Sequence, residues 1–178
     1  MNENGMQDLW SYYCPYYKVL DVCGCIPPAE QTCMGFGVVG AIGAKLTEPD
    51  KKVVCTTGDG AFQMYSQDVP TAVQYNAPVT WAILNNFSLG WVKWLQIKLI
   101  GKATACDYEV QPDFTKFAEA NACYGERIEK PREIKPALER ALKANNEGTP
   151  AILDFIVDPE DCHRNFKEFH RRAWGTSI

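Results

Sequence analysis

Two short motifs bring oxygen donors and small residues together at a spacing that suits a metal-bound anion. They are Gly58-Asp59-Gly60 and Asn85-Asn86, with 24 residues between them. Asp59 and Asn86 each offer a hard oxygen. Magnesium takes a few such protein oxygens and completes its octahedron with phosphate and water. Gly58 and Gly60 lack a Cβ, so their backbone can take positive φ and come close to a bulky anion. Their N–H groups, with that of Ala61, can cradle phosphate oxygens. Either motif alone reads as a tight turn or a loop start; at this spacing the pair points to a metal-bound diphosphate.

The elements that must position these residues follow from the pattern around them. Residues 53–57 (VVCTT) form a β-branched run that stops at a glycine, the mark of a buried strand. Residues 67–75 turn helical, with Ser66 as N-cap and Pro70 in the first turn, where proline is tolerated. Residues 79–84 are a second apolar run. A strand–helix–strand unit of this kind has parallel strands and a right-handed crossover. Asp59 and Asn86 then lie just past the carboxyl ends of neighbouring strands, where open α/β sheets bind their ligands.

The rest of the chain extends the same alternation. Residues 34–46 (MGFGVVGAIGAKL) are small and apolar nearly all round. Gly35, Gly37, Gly40 and Gly43 would each weaken an isolated helix by about 1 kcal/mol relative to alanine. They fit a helix packed closely against the sheet or a partner, with Thr32-Cys33-Met34 at the end facing the crevice. A helix opens at 89–95, with Trp91 and Trp94 on one face as core or as pocket wall. Residues 112–122 predict a helix with Phe114, Phe117 and Ala118 inward, and 124–128 a strand. Residues 131–145 predict an amphipathic helix buried through Ile134, Leu138, Ala141 and Leu142, and 151–157 the last strand. The fold class expected is therefore α/β, a doubly wound parallel sheet with helices on both faces, in a single domain over 1–178. The tail, 159–178, predicts a C-terminal helix with Phe166, Phe169 and Ala173 on one face and basic residues that would also suit a lid.

Composition bounds the function classes. At 178 residues, 46% hydrophobic and 22% charged, the chain has the profile of a globular domain. A net charge of −4 provides no general attraction to nucleic acid or to an anionic membrane. Nothing reaches the roughly 18 apolar residues of a spanning helix. The start, MNENGMQDLW, lacks the basic segment and apolar core of a secretion signal, so a cytoplasmic location is expected. Of the eight cysteines, Cys33, Cys55 and Cys123 fall in apolar segments as small hydrophobes. Cys14, Cys23 and Cys25 cluster without the fourth ligand that a metal or iron–sulfur site wants.

The GDG-x24-NN arrangement resembles the signature of enzymes that use thiamine diphosphate. The likeness runs from about residue 5 to residue 158 and is closest to the acetolactate synthase group. The runs that carry it are MGFG, AIGAKL, KVV before GDG, FQM, TAVQYN and LNN. The resemblance implies that Asp59, Asn86 and the backbone carbonyl of Ser88 ligate magnesium. It implies that Gly60 and Ala61 hold the diphosphate through backbone N–H groups beside Gly58, with Gly5, Met6 and Gln7 helping from a turn. Met34 would prop the cofactor into a bent shape, and backbone groups of Thr32 and Met34 would pair with its pyrimidine edge. The cofactor would then supply the chemistry: a 2-oxo acid loses carbon dioxide and its remaining acyl unit passes to an acceptor or takes up a proton.

The same resemblance implies a partner. The family's proton relay uses a glutamate from a separate pyrimidine-binding domain, and Glu3, Glu30 and Glu48 lie in the wrong contexts to supply it. No catalytic residue is therefore assigned to this chain. A pyrimidine-binding domain or subunit is expected beside it in a homo- or hetero-oligomer, and the family's first strand is expected to be missing. Phe87-Ser88 and Trp91 depart from the family's usual pocket wall. Alternatives are the β subunit of a 2-oxoacid:ferredoxin oxidoreductase, a sulfopyruvate- or phosphonopyruvate-type decarboxylase subunit, and a non-catalytic fragment that keeps the fold.

Overall fold

In the computed structural model the described residues are 18–20, 22, 24–26 and 33–160. The turn expected at Gly5-Met6-Gln7, the backbone of Thr32 and the tail helix beyond residue 160 lie outside them. Four strands, β1 (Val54–Gly58), β2 (Thr80–Asn85), β3 (Tyr124–Ile128) and β4 (Ala151–Ile156), form one sheet in the order β1-β2-β4-β3. All three pairings are parallel. The central strands are near-continuous apolar runs because helices cover both faces of the sheet. In β4 every residue from Ala151 to Phe155 is buried.

The helices are α1 (Phe36–Thr47), α2 (Asp59–Tyr65), α3 (Val69–Gln74), α4 (Gly90–Ile100), α5 (Phe114–Ala120) and α6 (Ile134–Asn146). On one face, α1, α2, α3 and α5 pack through Val38, Phe62, Ala72 and Phe114 onto Cys55, Trp81, Ile83 and Ile152. On the other, α6 packs through Ala137 and Ala141 onto Ala82, Leu153 and Phe155. The expected helices on both faces are present. Phe62 is the hinge pin of the first layer. Its ring makes edge contacts with Trp81, Phe114 and Phe117 at centroid distances of 6.3, 5.6 and 6.1 Å. Burying such a side chain contributes about 1.5–3 kcal/mol, and it holds α2 against the sheet end from which Asp59 projects.

Several local expectations change. Gly58-Asp59-Gly60 is not a turn: β1 ends at Gly58 and α2 begins at Asp59 without a break. Burial of Phe62 and Ala61 outweighs the poor helix propensity of Gly60. Ser66 is no N-cap; it follows α2 and its hydroxyl donates to the Gln63 carbonyl at 3.4 Å. Pro70 does sit in the first turn of α3. In α6 the small residues Ala137 and Ala141 meet the sheet, and Ile134, in the opening turn, is exposed. Gly35 has φ 93 and a Cβ there would strike the Tyr65 ring, whereas Gly43 faces open space, so close packing explains the first and not the second. Cys55 and Cys123 are buried as expected, but Cys33 is exposed. Trp91 and Trp94 stack at 5.4 Å on α4, a helix with no buried residue, so they are not core. Among the described residues, no helix is long and apolar enough to cross a membrane.

Candidate functional site

β1 and β2 are neighbours, with Gly58 opposite Leu84. Asp59 and Asn85-Asn86 therefore emerge side by side at the carboxyl end of the sheet, as the strand–helix–strand reading requires. The glycines act through space rather than through φ. Gly58 is extended (φ −77, ψ 156), and no atom lies within 4 Å of where its Cβ would be. At Gly60 a Cβ would come within 2.7 Å of Leu89 Cδ2 and of the Tyr108 hydroxyl, and 3.5 Å from Met34 Cε. Met34, Leu89 and Tyr108 thus converge on Gly60, which brings the two sequence motifs and the start of the glycine-rich helix to one place.

Asp59 is 2% exposed. Burial pushes its carboxyl above the ordinary aspartate range, against the pull of the Gln111 amide and of the backbone N–H groups of Gly60, Asp59 and Phe87. Gln111 Nε2 donates to Asp59 Oδ2 at 2.7 Å. Among the described residues no lysine or arginine forms an ion pair with Asp59. A carboxylate buried without a countercharge is costly unless a cation joins it.

The second motif is a pair of side-chain-to-backbone turns. Asn85 is fully buried and its Oδ1 accepts from the Phe87 N–H at 3.1 Å. Asn86 Oδ1 accepts from the Ser88 N–H at 3.2 Å. These bonds hold Phe87 at φ 57, a region that bulky residues rarely adopt and that clusters at binding sites. At Gly90 beside them a Cβ would lie 2.6 Å from Asn86 Nδ2, so a side chain there would have to turn the Asn86 amide.

A returning segment locks this loop. Ser88, itself buried, bridges antiparallel to Asp107. The Leu89 N–H donates to the Cys106 carbonyl at 2.8 Å and the Tyr108 N–H to the Phe87 carbonyl at 2.9 Å. Tyr108 is held above the ordinary tyrosine range by burial first and by the charge of Asp59 second. Among the described residues there is no cluster of three His, Cys, Asp or Glu, and the two motifs bring to this end of the sheet an oxygen-donor set, the Asp59 carboxylate with the amides of the Asn85-Asn86 loop. It fits magnesium and not a thiolate- or imidazole-seeking metal.

Two residues that sequence reasoning did not single out stand beside the motifs, Tyr108 as wall and Gln111 as partner of Asp59, while Asn85, read there only as half of the Asn85-Asn86 pair, organises its loop. Gln111 offered no local signal. Its two partners lie 26 and 52 residues away in the chain.

Residues 5–155 match the family described as thiamine pyrophosphate enzyme, C-terminal TPP binding domain. The chain belongs to this family. As a thiamine pyrophosphate-binding domain it is 38% identical, over 89% of its own length, to the probable acetolactate synthase large subunit of Methanococcus aeolicus. It is 39% identical, over 70% of its length, to acetolactate synthase isozyme 3 large subunit of Escherichia coli. It spans only 26% and 22% of those two proteins. Among solved structures, the thiamine diphosphate-dependent 4-hydroxybenzoylformate decarboxylase of Rhodococcus jostii RHA1 superposes with a TM-score of 0.64 at 28% identity. That match covers 70% of this chain and 23% of the decarboxylase. The expected fold class and the resemblance to the acetolactate synthase group are both borne out.

Proposed function

We propose that this domain is the diphosphate- and magnesium-binding half of an acetolactate synthase-like enzyme acting on a small 2-oxo acid. The observation that carries the reading is the Asp59 carboxylate: buried, without a cationic partner among the described residues, and beside the Asn85-Asn86 loop. Asp59, Asn86 and the Ser88 carbonyl hold the cation in this reading. The N–H groups of Gly60 and Ala61, in the first turn of α2 where no helical acceptor exists, hold the diphosphate beside the space that Gly58 leaves open. Met34 supports the cofactor from the side, Thr32 and Met34 meet its pyrimidine through their backbone, and Gly5, Met6 and Gln7 close the diphosphate end. Leu89 and Met34 wall the crevice with apolar atoms and Tyr108 turns its hydroxyl to Gly60, which narrows the crevice, limits water and strengthens each charge interaction inside. When bound, thiamine diphosphate supplies the decarboxylation of the 2-oxo acid and the transfer of its acyl unit.

The activating glutamate belongs to a pyrimidine-binding domain or subunit packed against this one, so the oligomer and not this domain alone turns over substrate. The test is thermal unfolding with magnesium and thiamine diphosphate. Together they raise the melting temperature, since ligand at a hundredfold excess over its Kd adds about 2.7 kcal/mol, and Asp59→Ala abolishes the shift. A wild-type chain that shows no shift overturns the reading. Decarboxylation that appears only on adding a pyrimidine-binding chain tests the partner.

A further inference from the structure

We propose that Gln111 is a positioning residue that makes Asp59 a one-oxygen ligand and so sets a preference for magnesium over calcium; this rests on the cation site proposed above. Gln111 is held from both ends. Asn85 Nδ2 donates to Gln111 Oε1 at 2.9 Å, and Gln111 Nε2 donates to Asp59 Oδ2 at 2.7 Å. The orientation of Asn85 is unambiguous. Its Nδ2 also donates to Asp154 Oδ1 at 2.9 Å, and its Oδ1 takes the Phe87 N–H. Flipping the amide would set an oxygen against a buried carboxylate and a donor against a donor. The orientation of Gln111 follows from that of Asn85, and its amino group must point at Asp59.

The line continues to the far edge of the sheet. Asp154 is fully buried and accepts from Arg127 Nε at 2.8 Å. The backbone is fixed as well. Gln111 precedes Pro112, which restricts it to extended conformations, and Asp113 caps α5 through the Thr115 and Lys116 N–H groups. Gln111 bonds directly to Asn85 on β2, which Asp154 and Arg127 tie in turn to β4 and β3, so it is a rigid support for the one carboxylate it touches.

The chemistry of the two cations turns this support into a selector. Calcium takes carboxylates with both oxygens and tolerates irregular geometry, whereas magnesium demands a near-ideal octahedron. With Oδ2 tied to a donor at a charge-assisted distance, swinging both oxygens onto one ion would strain or break that bond. Asp59 is left as a single-oxygen ligand in a fixed direction, which suits magnesium and handicaps calcium.

The experiment is calorimetric titration of magnesium and of calcium into the full chain with thiamine diphosphate, in wild type and in Gln111→Met. Outer-shell partners of metal ligands are worth about ten- to hundredfold in affinity. Magnesium binding should weaken by that factor and calcium binding by much less, so the preference narrows about tenfold or more. Should Gln111→Met fail to fold, Gln111→Asn, whose amide is too short to reach both partners, gives the same readout. Equal loss for both ions, or no loss for either, overturns the role of Gln111. A wild-type chain that binds neither ion overturns the cation site itself, and the inference with it.

Discussion

Asn85 on β2 and Asp154 on β4 meet side chain to side chain at 2.9 Å inside the sheet, and neither exposes any surface. The two are diagonal neighbours, since Asp154 lies opposite Ile83 and Asn85 opposite Ile156. A polar pair this deep is stable only while each member satisfies the other. Asp154→Ala leaves an Asn85 donor hydrogen without its acceptor and removes the partner of Arg127. Because a hydrogen bond to a charged group contributes about 1.5–3 kcal/mol, the variant should lose stability in that range by urea unfolding. It should also weaken magnesium binding, because Asn85 orients Gln111. A variant as stable as wild type would refute the first part.

Asp59 illustrates a site that works against the fold. Its carboxylate is buried without a countercharge among the described residues, so neutralising it relieves desolvation. Asp59→Asn keeps the shape and still accepts from Gln111. In the absence of metal the variant should melt at or above the wild-type temperature at neutral pH. The rise on adding magnesium and thiamine diphosphate should vanish. The two melting curves, with and without ligands, check both halves.

Two glycines separate close packing from site geometry. At Gly125 on β3 a Cβ would lie 2.8 Å from both Ala118 Cβ and the Thr115 carbonyl oxygen. Backbone and a short side chain cannot yield, so Gly125→Ala should destabilise by about 1–3 kcal/mol through overpacking. At Gly60 the obstructing atoms are the ends of Leu89 and Tyr108. Gly60→Ala should therefore fold with little loss, displace those side chains and reduce the ligand-dependent rise in melting temperature.

The cap of α5 supplies a pH dependence. Asp113 accepts from the Thr115 hydroxyl and from the Thr115 and Lys116 N–H groups. These bonds, the Thr115 hydroxyl foremost, hold its carboxyl below the ordinary aspartate range. A folded pKa below the unfolded one means that the stabilisation is present above the unfolded value, about 3.9, and fades as pH falls through the folded one. Asp113→Ala should cost about 1 kcal/mol at pH 7. That difference should shrink on acidification below about pH 4, as read from urea midpoints at several pH values.

The central strands β2 and β4 were legible because burial on both faces leaves near-continuous apolar runs, whereas β3, an edge strand buried only at Ile128, is not such a run. Residues 124–128 were expected as a strand and form one with the same limits, Tyr124–Ile128. The run at 53–57 is shifted by one residue, to Val54–Gly58. Helix α2 was not legible. Asp-Gly at its start has the local signature of a turn, and only the pocket between Trp81, Phe114 and Phe117 makes a helix there the better state for Phe62.

What the sequence by itself determined was therefore the α/β class, the strand ends that carry Gly58-Asp59-Gly60 and Asn85-Asn86, and the family those motifs mark. Each is a local property, set by side-chain type, periodicity and the conformations that neighbouring residues allow. What only the tertiary structure decided was how Asp59 is held. Its support runs through hydrogen bonds that span 52, 26 and 69 residues of chain. Such bonds form only after parallel pairing has brought β1, β2 and β4 side by side, because a side-chain amide has reach enough for a partner on the next strand and none for one far along the chain.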